Sequence, residues 1–303
     1  MGYKYFYKYP FIVKFMVKKY IGGQALLGGV MMKGREFVAA VVENDKKYSY
    51  YIKRIKPLPN IFEIPFIRGF IHLIEMMIIG LKTLIWSGNQ QLEEDEQESM
   101  SNSHIFFLIL TSFIFAIGLF VILPLFLTKI FISDGSLLFN LIDGLIRVII
   151  FILYIVIIGK MDDISEVYKY HGAEHKTVNC YEANKKLTVK NVKSFSTVHP
   201  RCGTTFIFIV LIISILLFSV IKSNDWFVQF AIRVLFIPLI AGISFEILRF
   251  TANHCNNFFI KIIMKPGLML QSLTTKEPED DKIKVAILAI NKVIELEKKY
   301  KIN

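Results

Sequence analysis

The sequence predicts a mainly α-helical, polytopic membrane bundle of about four spans that carries a small α+β part on one side of the bilayer. Three observations predict it. Of 303 residues 54% are hydrophobic, and mean hydropathy is +0.49, more apolar than a soluble domain with a charged surface. Four stretches are long and uncharged enough to cross about 30 Å of hydrocarbon as helices. Basic residues collect in the segments before, between and after these stretches in the alternating way that the positive-inside rule requires.

Residues 1–104 read as a cytoplasmic and interfacial N-terminal region. The basic, aromatic start has one apolar run, Phe11–Met16, which Lys14 cuts and no small-residue cleavage site follows. An interfacial anchor is expected there rather than a signal peptide. Gly22–Gly34 reads GGQALLGGVMMKG, five glycines in thirteen residues, and calls for unusual dihedrals or close backbone approach. Met31 and Met32 within it read as packing. Glu36–Glu43 and Lys47–Ile55, joined at Asn44-Asp45, form a β-hairpin rich in Val, Tyr and Ile. From Ile61 to Trp86 the chain is apolar, yet Arg68, His72, Glu75 and Lys82 share one helical face. An amphipathic helix lying at the interface, or re-entrant, fits better than another span, because four polar groups in mid-membrane are costly. The acidic run Glu93–Glu98 reads as a solvated linker.

Residues 105–159 hold the first two spans, about Ile105–Ile130 with Pro124 as a kink, and about Leu138–Ile158. Residues 206–248 hold the third and fourth, about Phe206–Ile221 and Phe227–Leu248. Of 36 Lys and Arg, 14 precede Ile105, eight lie in 160–205 and ten follow from Arg249, whereas the opposite loops offer only Lys129 and Lys222. Both termini and the 160–205 loop are therefore expected in the cytoplasm. The net charge of +11 follows from this topology, so the expected partner is the lipid bilayer and not nucleic acid. Within the spans, Asp143 and Arg147 read as an intrahelical ion pair, and Arg233 and Glu246 lie at different depths facing the bundle interior. Residues 249–303 form a C-terminal cytoplasmic helical region. There Ile283, Ile287, Ile290 and Ile294 mark an amphipathic helix from about Asp280 to Lys299.

Residues 160–205 hold three of the six histidines and two of the three cysteines. A helix capped at Asp162 or Asp163 and running to about Glu182 sets His171 and His175 one turn apart on one face. With Glu174 they spell HxxEH, the inverse of the HExxH zinc motif. Two imidazoles at this spacing can bind a divalent metal, zinc above all, and Glu174 can serve as general base. Glu182 is a candidate carboxylate ligand or outer partner on the same face. In His199-Pro200-Arg201-Cys202-Gly203, either His199 or Cys202 can complete the site, and Arg201 can orient an anionic substrate. Cys180 faces elsewhere on the helix. An odd cysteine count without CxxC argues against a disulfide framework. The same groups also suit a hydrogen-bonded polar core without metal.

These motifs resemble the YqhQ-like family of bacterial membrane proteins, a family of unknown function labelled as metal-dependent enzymes. The resemblance runs from about Gly22 to Ile290. It rests on GGQALLGGVMMKG, PFIRG (Pro65–Gly69), YHGAEHKTVNCYE (Tyr170–Glu182), HPRCGT (His199–Thr204), AGISFEILR (Ala241–Arg249) and PGLMLQSLTTKEPED (Pro266–Asp280). It implies a bacterial cell-membrane location and a metal-dependent activity. The family's glycine-rich motif usually reads GGQAVIEGVMM, which puts its glutamate at Gly28; if that carboxylate were a ligand or base, this chain lacks it. The leading expectation is a metal-dependent hydrolase at the cytoplasmic membrane face, acting on a lipid, a peptide or a lipid-linked precursor. The alternative is a non-enzymatic scaffold or regulator with a structural metal site or polar core. A transporter path through Asp143, Arg147, Arg233 and Glu246 ranks below both, because the two halves share no repeat.

Overall fold

The computed structural model describes residues 21–45, 47–55, 64–65, 67–92, 102–132, 136–220, 223, 225–254 and 257–300. The N-terminal anchor and the acidic linker expected from the sequence lie outside these residues. Four strands, β1 (Gly22–Leu26), β2 (Gly29–Lys33), β3 (Phe37–Asn44) and β4 (Lys47–Arg54), make one antiparallel sheet in that order. The expected hairpin is β3–β4, paired from Phe37↔Arg54 to Asn44↔Lys47. The glycine-rich run, expected only to have an unusual backbone, is a second hairpin closed by Leu26↔Gly29. Gly28 at its tip has φ 68°, the left-handed value that favours glycine in a tight turn.

β2 and β3 are covered on both faces. Val30, Met32, Ala39 and Val41 pack with Tyr170 and Ala173 of α5 (Asp162–Glu182) and with Ile283, Ala286, Ile290 and Val293 of α11 (Asp280–Lys299). Met31, Val38, Ala40 and Val42 point the other way, onto Met76, Ile79 and Trp86 of α1 (Ile67–Gln91). The sheet is thus the middle of three layers, and the run Phe37–Val42 is continuously apolar because it has no solvent face. Each fully buried Val, Ile or Met contributes about 1.5–3 kcal/mol. The isoleucine stripe of α11 behaves as its spacing predicts: Ile283 and Ile290 are fully buried, Ile287 and Ile294 half-buried.

α1 has the length and composition of a membrane span, 25 residues, where the sequence favours an interfacial helix. Its two halves do different things. Arg68 pairs with Glu246 at 2.7 Å and His72 stacks on Phe245, both on α9 (Ile237–Asn253). From Ile79 onward the helix lies on the sheet, with Trp86 against Tyr51 and Ser87 Oγ accepting the Leu27 N–H at 3.3 Å. Half of α1 therefore belongs to the bundle and half roofs the sheet, and its polar face is tied down, Glu75 by Lys33 at 3.3 Å.

Two further helices are long and apolar enough to cross a membrane. Ser103–Phe131, 29 residues, comprises α2 (Asn102–Ile117) and α3 (Leu123–Phe131), with a π-helical turn at Gly118–Ile122. Pro124, the expected kink, follows that turn, where its missing N–H removes one rung of the helix ladder. The other is α4 (Leu137–Ile158), 22 residues. The expected fourth span is broken: α8 (Trp226–Leu235) and α9 meet at 46°, with Pro238 in the first turn of α9, and count as a fourth span only if taken together. The third, α7 (Gly203–Ser219), has 17 residues, about 26 Å at 1.5 Å per residue, so it falls just short of the hydrocarbon thickness.

Asp143 accepts from Arg147 at 2.9 Å, the expected pair, and also from Arg233 at 3.2 Å, which ties α4 to α8. α6 (Val189–Lys193), which is not expected from the sequence, and α10 (Phe258–Gln271), inside the region expected to be helical, complete the chain; α10 exposes Phe258, Phe259 and Ile263 and buries Met264 and Leu270.

Ile290→Ala, at a fully buried contact of sheet and α11, should destabilise the fold by about 2–5 kcal/mol. Thermal unfolding of detergent-purified protein checks this, with exposed Lys298→Ala as a control that leaves the midpoint unchanged. Glu279, just before α11, hydrogen-bonds Lys169, which with Lys282 pulls its carboxyl from 4.5 down to about 2. Because it ionises more readily folded than unfolded, its stabilisation is present above pH 4.5 and is lost as pH falls toward about 2. Glu279→Gln should therefore lower the unfolding midpoint at pH 7 and flatten its fall across that acid window.

Candidate metal centre

α5 starts at Asp162 and Asp163, whose charges complement the helix dipole, and ends at Glu182, as the sequence predicts. After α6 the chain returns along α5 through Thr197 and His199 to Cys202, which caps α7: its Sγ accepts the Thr204 N–H at 3.4 Å.

His171 and His175 stand with ring centroids 4.3 Å apart. His171 Nδ1 lies 2.8 Å from the Thr274 carbonyl oxygen, and His175 Nδ1 lies 2.6 Å from that of Thr197. A carbonyl can only accept, so each Nδ1 carries the proton and each Nε2 keeps a free lone pair. This is the way metal-binding histidines are commonly oriented. His171 Nε2 is 3.3 Å from Cys202 Sγ, and the ligand atoms of His171, His175 and Cys202 all lie within 4.8 Å of one another. Glu174 Oε2 is 3.3 Å from His175 Nε2, and the Gly23 N–H of β1 bonds the same carboxylate. Burial pushes the Glu174 carboxyl up and the His175 imidazole down.

Two acceptors at 3.3 Å in a buried place need positive charge between them. Two neutral imidazoles, a thiolate and a carboxylate carry two negative charges, which two protons or one divalent cation can balance. Around tetrahedral zinc with bonds of about 2.0–2.3 Å, neighbouring donors stand about 3.3–3.6 Å apart. The donor types suit that ion, and the 3.3 Å between His171 Nε2 and Cys202 Sγ matches one such pair in a group that lies within 4.8 Å.

His199 is placed differently. Its Nδ1 accepts the Arg201 N–H at 3.3 Å and its Nε2 lies 3.3 Å from Glu182 Oε2, so both nitrogens are engaged. Gln271 clamps its backbone, accepting the N–H at 2.6 Å and donating to the carbonyl at 3.0 Å. Burial pushes its imidazole down to about 4, hence neutral. Glu182 also binds Arg201. Of the seven sequence candidates, then, His171, Glu174, His175 and Cys202 converge, while His199, Glu182 and Arg201 form a chain beside them. Cys180 is buried in the core under α11, where burial raises its thiol to about 11. Gly28 abuts Gln91 at the end of α1 and is not on the wall of the cavity described next, so the glutamate that the resemblance assigns there would not reach the cluster.

Sequence reasoning did not reach Thr197, Gln271, Thr274 and Gly23. Three of them act through backbone groups, and Thr274 and Gln271 lie 103 and 72 residues from the histidines they serve. Gly23 lies in the glycine-rich run and Gln271 and Thr274 in PGLMLQSLTT, while Thr197 falls in none of the motifs. A cavity of about 1250 Å³ opens beside the cluster, bounded by these polar groups at one end and by apolar side chains of α1, α2, α7 and α9 elsewhere.

Gly172 lets the chain cross α5: a Cβ there would collide with the Lys276 carbonyl oxygen. Gly172→Ala should displace the 274–276 segment, release His171 from the Thr274 carbonyl and weaken zinc binding about 10–100-fold. Competition with a chromophoric chelator measures this, and an unchanged affinity would show that the carbonyl is not what orients the ring.

The family model described as "Protein of unknown function (DUF1385)" matches residues 64–296. The chain is 34% identical over 298 residues to "Uncharacterized protein YqhQ" of Bacillus subtilis (strain 168), an alignment covering 91% of this chain and 92% of that protein. No solved structure matches it. The chain belongs to the DUF1385 family, in agreement with the YqhQ-like motifs of its sequence.

Proposed function

We propose that this protein is an integral membrane, metal-dependent hydrolase whose centre faces the cytoplasm, with zinc held by His171, His175 and Cys202 and with Glu174 as general base. The observation that carries the reading is the pair of Nδ1–H groups bonded to the Thr274 and Thr197 carbonyls, which turns both Nε2 lone pairs toward one thiol. Three protein ligands leave a fourth position open, the pattern of catalytic rather than structural zinc. Held by His171, His175 and Cys202, zinc would supply Lewis acidity, making water easier to deprotonate and polarising the bond under attack. Glu174, beside His175 and raised by burial, suits a group that takes a proton from water and returns it to the leaving atom. Arg201, balanced by Glu182, sits on the same wall and can meet an anionic group. The basic segments support a cytoplasmic side, and the packing of sheet, α5 and α11 supports one common side for the N-terminal sheet, the 160–205 segment and the C-terminal helix.

Metal content by mass spectrometry tests this. Wild type should carry about one zinc per chain, lost in His171→Ala, His175→Ala and Cys202→Ala and kept in His199→Ala. Glu174→Gln should keep the metal and abolish hydrolysis in a screen of lipid and peptide substrates. Folded wild type that takes up no zinc would leave a polar core and a scaffold or regulatory role. Loss of zinc in Glu174→Gln would make Glu174 a fourth ligand and the site structural.

A further inference from the structure

A metal centre alone does not account for the cavity beside it. Its volume, about 1250 Å³, far exceeds what a water and a scissile bond occupy. Beyond the cluster its walls are apolar: Met77 and Leu84 of α1, Leu108 and Phe113 of α2, Phe206 of α7 and Leu248 of α9. Met77, Leu84, Leu108 and Phe113 are at the same time exposed on the outside of the protein, Met77 by 63% and Phe113 by 58%. The apolar flank between α1 and α2 is thus exposed, as are Gly22, Arg201 and Gly203 at the polar end. α2 belongs to a helix apolar enough to cross a membrane, and none of its most apolar stretch is buried. The flank is thus continuous with a surface suited to hydrocarbon. At the polar end the wall carries Lys33 and Arg201, each also held by a carboxylate from behind, against Glu174 as the acidic residue facing in. Both basic side chains can donate to a phosphate, and a divalent ion would offset the negative charges of the cluster.

We propose that the cavity takes an anionic glycerophospholipid from the cytoplasmic leaflet, entering between α1 and α2, with acyl chains against the apolar wall and the headgroup linkages against the cluster. This rests on the metal-dependent hydrolase reading and names its substrate class. In the hydrolysis, the oxygen of one water bonds to the carbonyl carbon or phosphorus of the linkage. The bond to the departing alcohol oxygen breaks, and the water's proton reaches that oxygen through Glu174.

The test places the full-length protein in nanodiscs of phosphatidylglycerol or phosphatidylcholine and counts retained lipid by native mass spectrometry, with zinc measured on the same samples. Ser112→Trp and Ala116→Trp fill the cavity from α2, and Phe115→Trp, on the same helix but off the wall, controls for insertion. Wild type and Phe115→Trp should retain about one phosphatidylglycerol per chain, and both filling variants about tenfold less, with zinc unchanged throughout. Equal retention in all variants, equal retention of phosphatidylcholine, or a peptide retained instead would overturn the proposal. Zinc without lipid would overturn the substrate class and leave the metal reading standing. Lipid without zinc would overturn the metal reading and, with it, the lipid's role as substrate.

Discussion

The candidate centre depends on one close approach, the crossing of the 274–276 segment over helix α5 at Gly172. Lys276 donates its N–H to the Tyr168 carbonyl at 2.9 Å, and its own carbonyl occupies the space a side chain at position 172 would fill. That crossing puts the Thr274 carbonyl on His171 Nδ1 and settles the tautomer. On the other flank, Asn179 donates to the Ser196 and Val198 carbonyls at 2.9 and 3.1 Å, holding the return strand so that the Thr197 carbonyl meets His175. Two histidines one turn apart become a matched pair because backbone from both sides of the helix fixes their rings.

The same helix is built into the core. The face of α5 that bears Tyr170, Ala173 and Val178 packs with α11 and the sheet, while the face bearing His171, Glu174 and His175 looks into the cavity. β1 supplies the Gly23 N–H to Glu174, so the N-terminal hairpin, the central helix and the C-terminal segment each contribute to one carboxylate–imidazole–thiol group. Burial raises the Glu174 carboxyl and lowers the His175 imidazole, because each charged form loses its hydration there.

The charges within the bundle serve packing. Asp143 with Arg147 and Arg233, and Arg68 with Glu246, join α4 to α8 and α1 to α9. Phe218 lies under both guanidinium groups of the first cluster, at 5.7 and 5.2 Å. Removing one member would leave a buried charge unpaired, which costs more than the pair itself contributes.

By itself the sequence determined what depends on local pattern. Length and hydropathy mark the apolar helices, alternation marks β3–β4, the isoleucine stripe marks α11, and the i, i+4 spacing with a capped start sets His171 and His175 on one face of α5. These features are legible because each is written within a few turns or residues of chain. Only the tertiary structure decided what depends on distant segments meeting. It selected Cys202 over His199 beside the histidine pair, because a helix N-terminus presents the thiol while Glu182 and the Arg201 backbone engage both nitrogens of His199. It divided α1 between bundle and sheet, broke the last apolar stretch at Pro238, and turned the glycine run into a hairpin. Carbonyls that orient a ring from 103 residues away leave no mark in side-chain pattern, since any residue carries the same backbone group.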